Sequence, residues 1–115
     1  IGNLQVRGQV SFNRSSAQLT PEGKETLNQL ASELQTFNEE TTAIRVIGHT
    51  SRSGNAQLNL KLSQARAATV AQQLQDFGIK LNVLSEGKGF SEPLPNVSPE
   101  DPSNQRTEIR LVRVE

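Results

Sequence analysis

The sequence predicts an α+β domain built as a two-layer sandwich, with elements in β-α-β-α-β-β order and two helices packed on one face of a mixed four-stranded sheet. Three observations predict it. Two stretches carry apolar residues at helical spacing, short β-branched or alternating stretches surround them, and helix-capping or turn residues stand at the joins. At 115 residues and 33% hydrophobic content, the chain is long enough to bury one core and too short for two.

Leu4 to Phe12 (LQVRGQVSF) alternates loosely, placing Leu4, Val6, Val10 and Phe12 on one face of a first strand. After the polar stretch NRSSAQ, Thr20-Pro21-Glu22 supplies a hydroxyl N-cap, a proline at the first helical position and an early carboxylate at the positive end of the dipole. Leu27, Leu30, Ala31, Leu34 and Phe37 then recur at threes and fours, so this helix carries one apolar stripe and is expected to end near Asn38. Ala43 to Gly48 (AIRVIG) reads as an interior strand. Leu58 to Phe77 forms the second helix, with Leu62, Val70, Ala71, Leu74 and Phe77 on one face and Gly78 where a left-handed cap belongs. Leu81 to Gly87 is the third strand. A loop from Lys88 to Asn104 follows, with prolines at 93, 95, 99 and 102, and its length points to function or mobility. Arg106 to Val114 alternates and gives the last strand.

Twelve basic and twelve acidic residues cancel, which excludes a global field that would draw the chain to nucleic acid or an anionic membrane. Four Phe without Trp or Tyr give no base-stacking platform. The lack of cysteine removes disulfides and thiolate metal sites. No apolar run approaches the roughly 20 residues that span a bilayer, so direct membrane insertion by this chain is not expected. Position 1 is not methionine, and the expectation is that the chain is a piece of a longer precursor.

The run GHTSRSGNAQLNLKLSQARAATVAQQL resembles the central segment of OmpA-like peptidoglycan-binding domains, the family of outer membrane protein A, the peptidoglycan-associated lipoprotein and flagellar stator proteins. The family pattern is G-H-T-D, a short polar turn, then N-x-x-L-S-x-x-R-A. Gly48-His49-Thr50, Asn59, Leu62-Ser63 and Arg66-Ala67 stand at that spacing. The likeness extends upstream to Phe12-Asn13 and Leu19-Thr20-Pro21-Glu22-Gly23, and downstream to Gly87-x-Gly89-x-x-x-Pro93 and Asn104-x-Arg106, so it covers nearly the whole chain in one order. Two positions depart from it. Ser51 replaces the aspartate after His-Thr, and Gln105 replaces the first arginine of Asn-Arg-Arg.

The resemblance implies a non-catalytic periplasmic module, residues 1–115 forming a single domain of a longer envelope protein tethered to the outer or inner membrane of a Gram-negative bacterium. It implies no cofactor and no metal. The implied partner is the peptidoglycan stem peptide, whose diaminopimelate residue the family holds with the missing aspartate and the helix arginine. Other envelope proteins are the alternative partners, if the scaffold is kept while the cell-wall site has weakened. The implied ligand-binding residues are Arg66, Ser51, Asn59, Thr50, Asn13 and Arg106, with Arg52 as an added anion contact.

Elementary chemistry supports the arginine. A zwitterionic head is best held by one anion for its ammonium and one planar guanidinium for its carboxylate. Arg66 stands about two turns into its helix, and helical side chains lean toward the N-terminus, so it reaches back over the turn that follows the strand. Ser51 hydrogen-bonds without neutralising an ammonium. Losing that charge-assisted contact costs on the order of 1.5 to 3 kcal/mol, about ten- to a hundred-fold in affinity. With Arg52, Arg66 and Arg106 close by, the expectation is a more cationic pocket that prefers a simple carboxylate or another anion.

Plainer readings stand beside these. Arg66 ties the helix to the last strand or the long loop; Asn59 and Ser63 either touch a ligand or brace the helix start. His49, the only histidine, is a packed structural residue. A catalytic triad would need an orienting carboxylate, and the turn has no acid between Glu40 and Asp76. Gly87 and Gly89 follow a strand without opening a helix, so they let the backbone turn and do not form a nucleotide loop.

Overall fold

Buried on both of its faces, the stretch Thr42–His49 forms the central strand, β1, and the rest of the molecule is arranged around it. The computed structural model describes residues 10–114. Helix α1 is Pro21–Leu34, α2 is Ala56–Asp76, β2 is Asn82–Gly87 and β3 is Arg106–Arg113. β2 pairs parallel to β1 and β3 antiparallel, so the sheet is mixed, in the order β2-β1-β3. The two-layer α+β class therefore holds, with three strands among the described residues in place of the four expected. Most of the anticipated first strand, residues 4–9, lies outside the described residues. Its end is seen: Phe12 makes one antiparallel bridge with Leu19, closing the polar stretch between them into a loop.

Thr20 caps α1 as its sequence predicts, its hydroxyl accepting from the Gly23 N–H at 3.0 Å. The helix stops at Leu34, short of Asn38. Thr36 and Phe37 donate their N–H groups three residues back, to Glu33 and Leu34, and this tighter winding turns Phe37 off the apolar stripe to 38% exposure. Helix α2 begins two residues earlier than expected because Asn55 caps it, its side-chain oxygen accepting from the N–H of Gln57 and Leu58. Gly78 follows its end at φ +95°.

The core lies between the helices and one face of the sheet. Leu27, Leu30 and Leu34 of α1 meet Val70 and Leu74 of α2 over Ile44, Val46, Ile109 and Leu111, all nearly solvent-free. Two glycines let α2 come close. A Cβ on Gly48 would strike the Ser63 carbonyl, and one on Gly87 would strike the Gln64 N–H and the Ser63 hydroxyl. Ser63, fully buried, accepts from the Gly89 N–H at 2.9 Å and donates to the Leu60 carbonyl at 2.8 Å. Of its two sequence readings, the brace is the one observed. The proline-bearing loop is tied down at several points. Buried Asn104 donates to the Ser98 carbonyl at 3.0 Å and accepts from the Leu94 N–H at 2.6 Å, while Thr50 and Arg52 donate backbone N–H groups to Gly89 and Pro99.

Candidate functional site

Ser51 stands two residues beyond β1, and Gln105 one residue before β3; the antiparallel register that pairs His49 with Arg106 brings them together. Arg66 reaches the same place from α2, which the close contact at Gly48 and Gly87 holds against the sheet. The three side chains form a chain of hydrogen bonds. Arg66 Nη1 donates to Gln105 Oε1 at 3.0 Å, and Gln105 Nε2 donates to Ser51 Oγ at 3.0 Å. The two positions at which the sequence departs from the family pattern are thus direct neighbours.

Arg66 has two further neutral anchors. Its Nε donates to the Ser16 carbonyl at 2.8 Å, and its guanidinium carbon lies 4.9 Å from the centre of the Phe12 ring. That ring is a stacking and cation–π surface for a planar cation. Burial lowers the Arg66 pKa from its ordinary value, but a guanidinium so placed stays charged. No carboxylate pairs with it among the described residues. A half-buried cation with only neutral partners is electrostatically unfinished, because desolvation weakens its hydration and no anion replaces it.

A cleft of about 530 Å³ opens over this arginine. Phe12, Arg14 and Ser15 form one wall, and Ser53, Asn59 and Leu62 another; Pro102 and Gln105 close the third side. Its charged lining residues are Arg14 and Arg66, with no aspartate or glutamate among them. A second hollow, about 360 Å³, lies between Leu34–Glu39 and Gly78–Leu81 and includes none of the candidate residues. The candidate residues Arg66 and Asn59 line the first.

The remaining candidates are distributed as follows. Asn59 lines the cleft while bracing the helix start, its Nδ2 donating to the Ser53 carbonyl at 2.6 Å and the Asn55 carbonyl at 3.0 Å. Ser51 is 7% exposed and lies behind Gln105. Thr50 is buried, with its hydroxyl unbonded among the described residues, and does not line the cleft. Asn13 is exposed in the neighbouring loop, whose Phe12, Arg14 and Ser15 form the wall instead. Arg52 donates its backbone N–H to the Pro99 carbonyl of the proline-bearing loop and does not line the cleft. Arg106 shares a small hollow of about 20 Å³ with Arg66, Gln105 and His49, but its guanidinium is paired elsewhere. Its guanidinium lies 2.9 Å from Glu108 Oε2 and donates to the Glu92 carbonyl at 3.2 Å, and Arg110 bonds Glu108 at 2.7 Å. Of the cations anticipated together, Arg66 and Arg106 share only the small hollow, Arg52 lines neither it nor the cleft, and the cationic lining of the cleft is Arg14 and Arg66.

His49 joins the Glu108 group. It is 4% exposed, with Nε2 3.2 Å from Glu108 Oε2, although neither ring nitrogen forms an aligned hydrogen bond among the described residues. Burial first, then Arg106, pushes its pKa below the ordinary value against the pull of Glu108. This is a neutral, packed histidine. Burial pushes the Glu108 carboxyl up, but hydrogen bonds from Arg110 and Arg106 outweigh it and leave the pKa below the ordinary carboxylate value. Sequence reasoning missed Phe12 as the surface under Arg66, Ser16 as its carbonyl partner and Arg14 as the second cation. Phe12-Asn13 was visible as a motif, but a loop carbonyl leaves no mark in a sequence.

A model described as "OmpA family" matches residues 11–108. The chain is similar to "Outer membrane protein A" of Klebsiella aerogenes, 38% identical over 90 residues that make up 77% of this chain and 26% of the relative. It is also similar to "Probable lipoprotein YiaD" of Escherichia coli K12, 36% identical over 111 residues, 94% of this chain and 50% of the relative. The chain thus spans between about a quarter and a half of these relatives. Among solved structures, the one titled "The structure of the cell wall anchor of the T6SS from Pseudomonas aeruginosa" superposes with a TM-score of 0.72 at 30% identity, covering 92% of this chain and 76% of the other.

Proposed function

Given that the chain belongs to the OmpA family, we propose that it is a non-catalytic module that binds peptidoglycan through the Arg66 cleft and so anchors a larger envelope protein to the cell wall. The observation that carries this reading is the half-buried Arg66 guanidinium, held by Phe12, Ser16 and Gln105 and lacking an acid partner among the described residues. It is oriented and unneutralised, and a stem-peptide carboxylate supplies the missing charge in a bidentate geometry. Asn59 and Arg14 make the outer polar contacts. Ser51 acts through Gln105, and Thr50 shapes the turn beneath. The names of the relatives, an outer membrane protein, a lipoprotein and a cell wall anchor, support a location on the periplasmic side of the envelope. Under this reading residues 1–115 are one domain of a longer protein whose membrane tether lies elsewhere. No helix among the described residues is long and apolar enough to cross a membrane.

The test is co-sedimentation with purified diaminopimelate-type peptidoglycan. Wild type should pellet with the sacculi, and Arg66→Ala should lose about ten- to a hundred-fold in affinity while its melting temperature stays near wild type. Equal retention of both proteins would sink the reading. A second reading, an interaction module for another envelope protein, is favoured by one observation: the Gln105 carboxamide already occupies the space between Ser51 and Arg66. Specific capture of an envelope protein by a domain that ignores sacculi would decide for it.

A further inference from the structure

We propose that Gln105 sets the specificity of the cleft by filling the gap between Ser51 and Arg66, so that the site takes a carboxylate that has no ammonium beside it. The inference rests on the cell-wall reading and names the chemical class of group that the site selects there.

The argument follows the polarity of the hydrogen bonds. A guanidinium only donates, so the amide must turn its oxygen toward Arg66 and its nitrogen toward Ser51, whose Oγ then accepts. The reverse orientation would set an NH₂ group against the cation. Gln105 Oε1 and Ser51 Oγ each spend one lone pair within this chain, and both are neutral, so the charged group left on offer to a ligand at that end is the Arg66 guanidinium. Ser51 is also covered, at 7% exposure, so its hydroxyl reaches a ligand only if Gln105 moves.

The rest of the cleft has the same bias. Its two charged lining residues are arginines, and its remaining polar side chains are neutral, among them Ser15, Ser53 and Asn59. An incoming carboxylate meets Arg66 directly and Arg14 nearby. An ammonium on the adjoining carbon meets neutral acceptors at best and is repelled by the guanidinium that holds its neighbour. Gln105 thus leaves the anion its guanidinium and offers the cation no charge, and its own amide acts as a built-in occupant of the inner subsite.

Pimelate and meso-diaminopimelate are the discriminating probes, being the same diacid without and with an ammonium beside each carboxylate. Titrated by NMR shift mapping into the wild-type protein, pimelate should bind at least as tightly as meso-diaminopimelate, with the shifts centred on Arg66, Gln105 and Asn59. Gln105→Glu keeps the shape of the side chain but gives Arg66 an acid partner, and should weaken pimelate by about tenfold. A wild-type preference for meso-diaminopimelate, unchanged pimelate binding in Gln105→Glu, or no shift with either probe would overturn the proposal. Sacculus co-sedimentation run in parallel separates the two inferences. Retention on sacculi with a preference for the zwitterion leaves the cell-wall reading standing and removes this one. Pimelate selectivity without retention does the reverse.

Discussion

Arg66 and Arg106 flank the same end of the sheet, and they differ in one respect that decides what each can do. Arg106 lies against Glu108, which Arg110 also bonds and which His49 approaches, so its charge is answered within the fold. Arg66 is held as firmly, by a ring, a main-chain carbonyl and an amide, yet every partner is neutral. Position alone does not mark a ligand-ready arginine. Compensation does: a paired cation contributes to the fold, and a fixed but unpaired one is available to an anion from outside.

The largest effect should come from breaking both regions together. Gly48 lies in β1 beside His49, packed against Ser63 of α2. Gly48→Val forces the helix off the sheet and should cost about 3 kcal/mol or more, read as a fall in the urea midpoint with loss of sacculus binding. A variant as stable as wild type would show that the close approach is not needed.

Next in size is a crossed pair of truncations. Arg66→Ala should weaken retention on peptidoglycan by about ten- to a hundred-fold with little change in stability. Arg106→Ala should cost about 1 to 2 kcal/mol of stability, because part-buried Glu108 loses a charged partner, and should leave binding within about twofold. If the two variants behave alike, the distinction between them fails. Ser51→Asp combined with Gln105→Ala, which uncovers position 51, sharpens the comparison by giving the Arg66 region the acid it lacks, and should tighten meso-diaminopimelate by roughly ten-fold in calorimetry.

The smallest effect is in pH dependence. His49 has a folded-state pKa below its unfolded value near 6.5, so the unfolded chain binds the proton more readily. Its contribution is present above about pH 6.5 and is lost as pH falls through that value toward the folded pKa. Glu108, also lowered, adds a further loss below about pH 4.3. Melting temperature should therefore decline from pH 7 to 5, and His49→Gln should flatten that slope by about 1 kcal/mol or less. Binding at Arg66 should stay level across the same window, because neither the guanidinium nor a ligand carboxylate titrates there.

Much of the fold was legible because local chemistry agreed with the tertiary answer. Thr20-Pro21 capped a helix whose apolar spacing already placed Leu27, Leu30 and Leu34 inward, and the β-branched AIRVIG became the buried central strand. The errors fell where local signals ran out. Phe37 continued the helical spacing, but the chain had already tightened after Leu34. Asn55 was an unread cap. In the site, Arg66 was singled out by its spacing to Gly48-His49-Thr50, with Arg52 and Arg106 expected beside it in one cationic pocket. The pairing of Arg106 with Glu108 was readable, because residues two apart on a strand share a face, but nothing linear records that Arg66 meets no acid among the described residues or that Arg52 stands outside the cleft.

By itself the sequence determined the class of fold, the family and which arginine to single out as the candidate ligand contact, because capping, periodicity and motif spacing are properties of neighbouring residues. Only the tertiary structure decided that Ser51 and Gln105, 54 positions apart, are hydrogen-bonded partners, and that Gln105 rather than an acid meets Arg66. The physical reason is that charge compensation depends on which strands and loops converge. Here the β1–β3 register and the close seat of α2 over Gly48 and Gly87 bring the three side chains together.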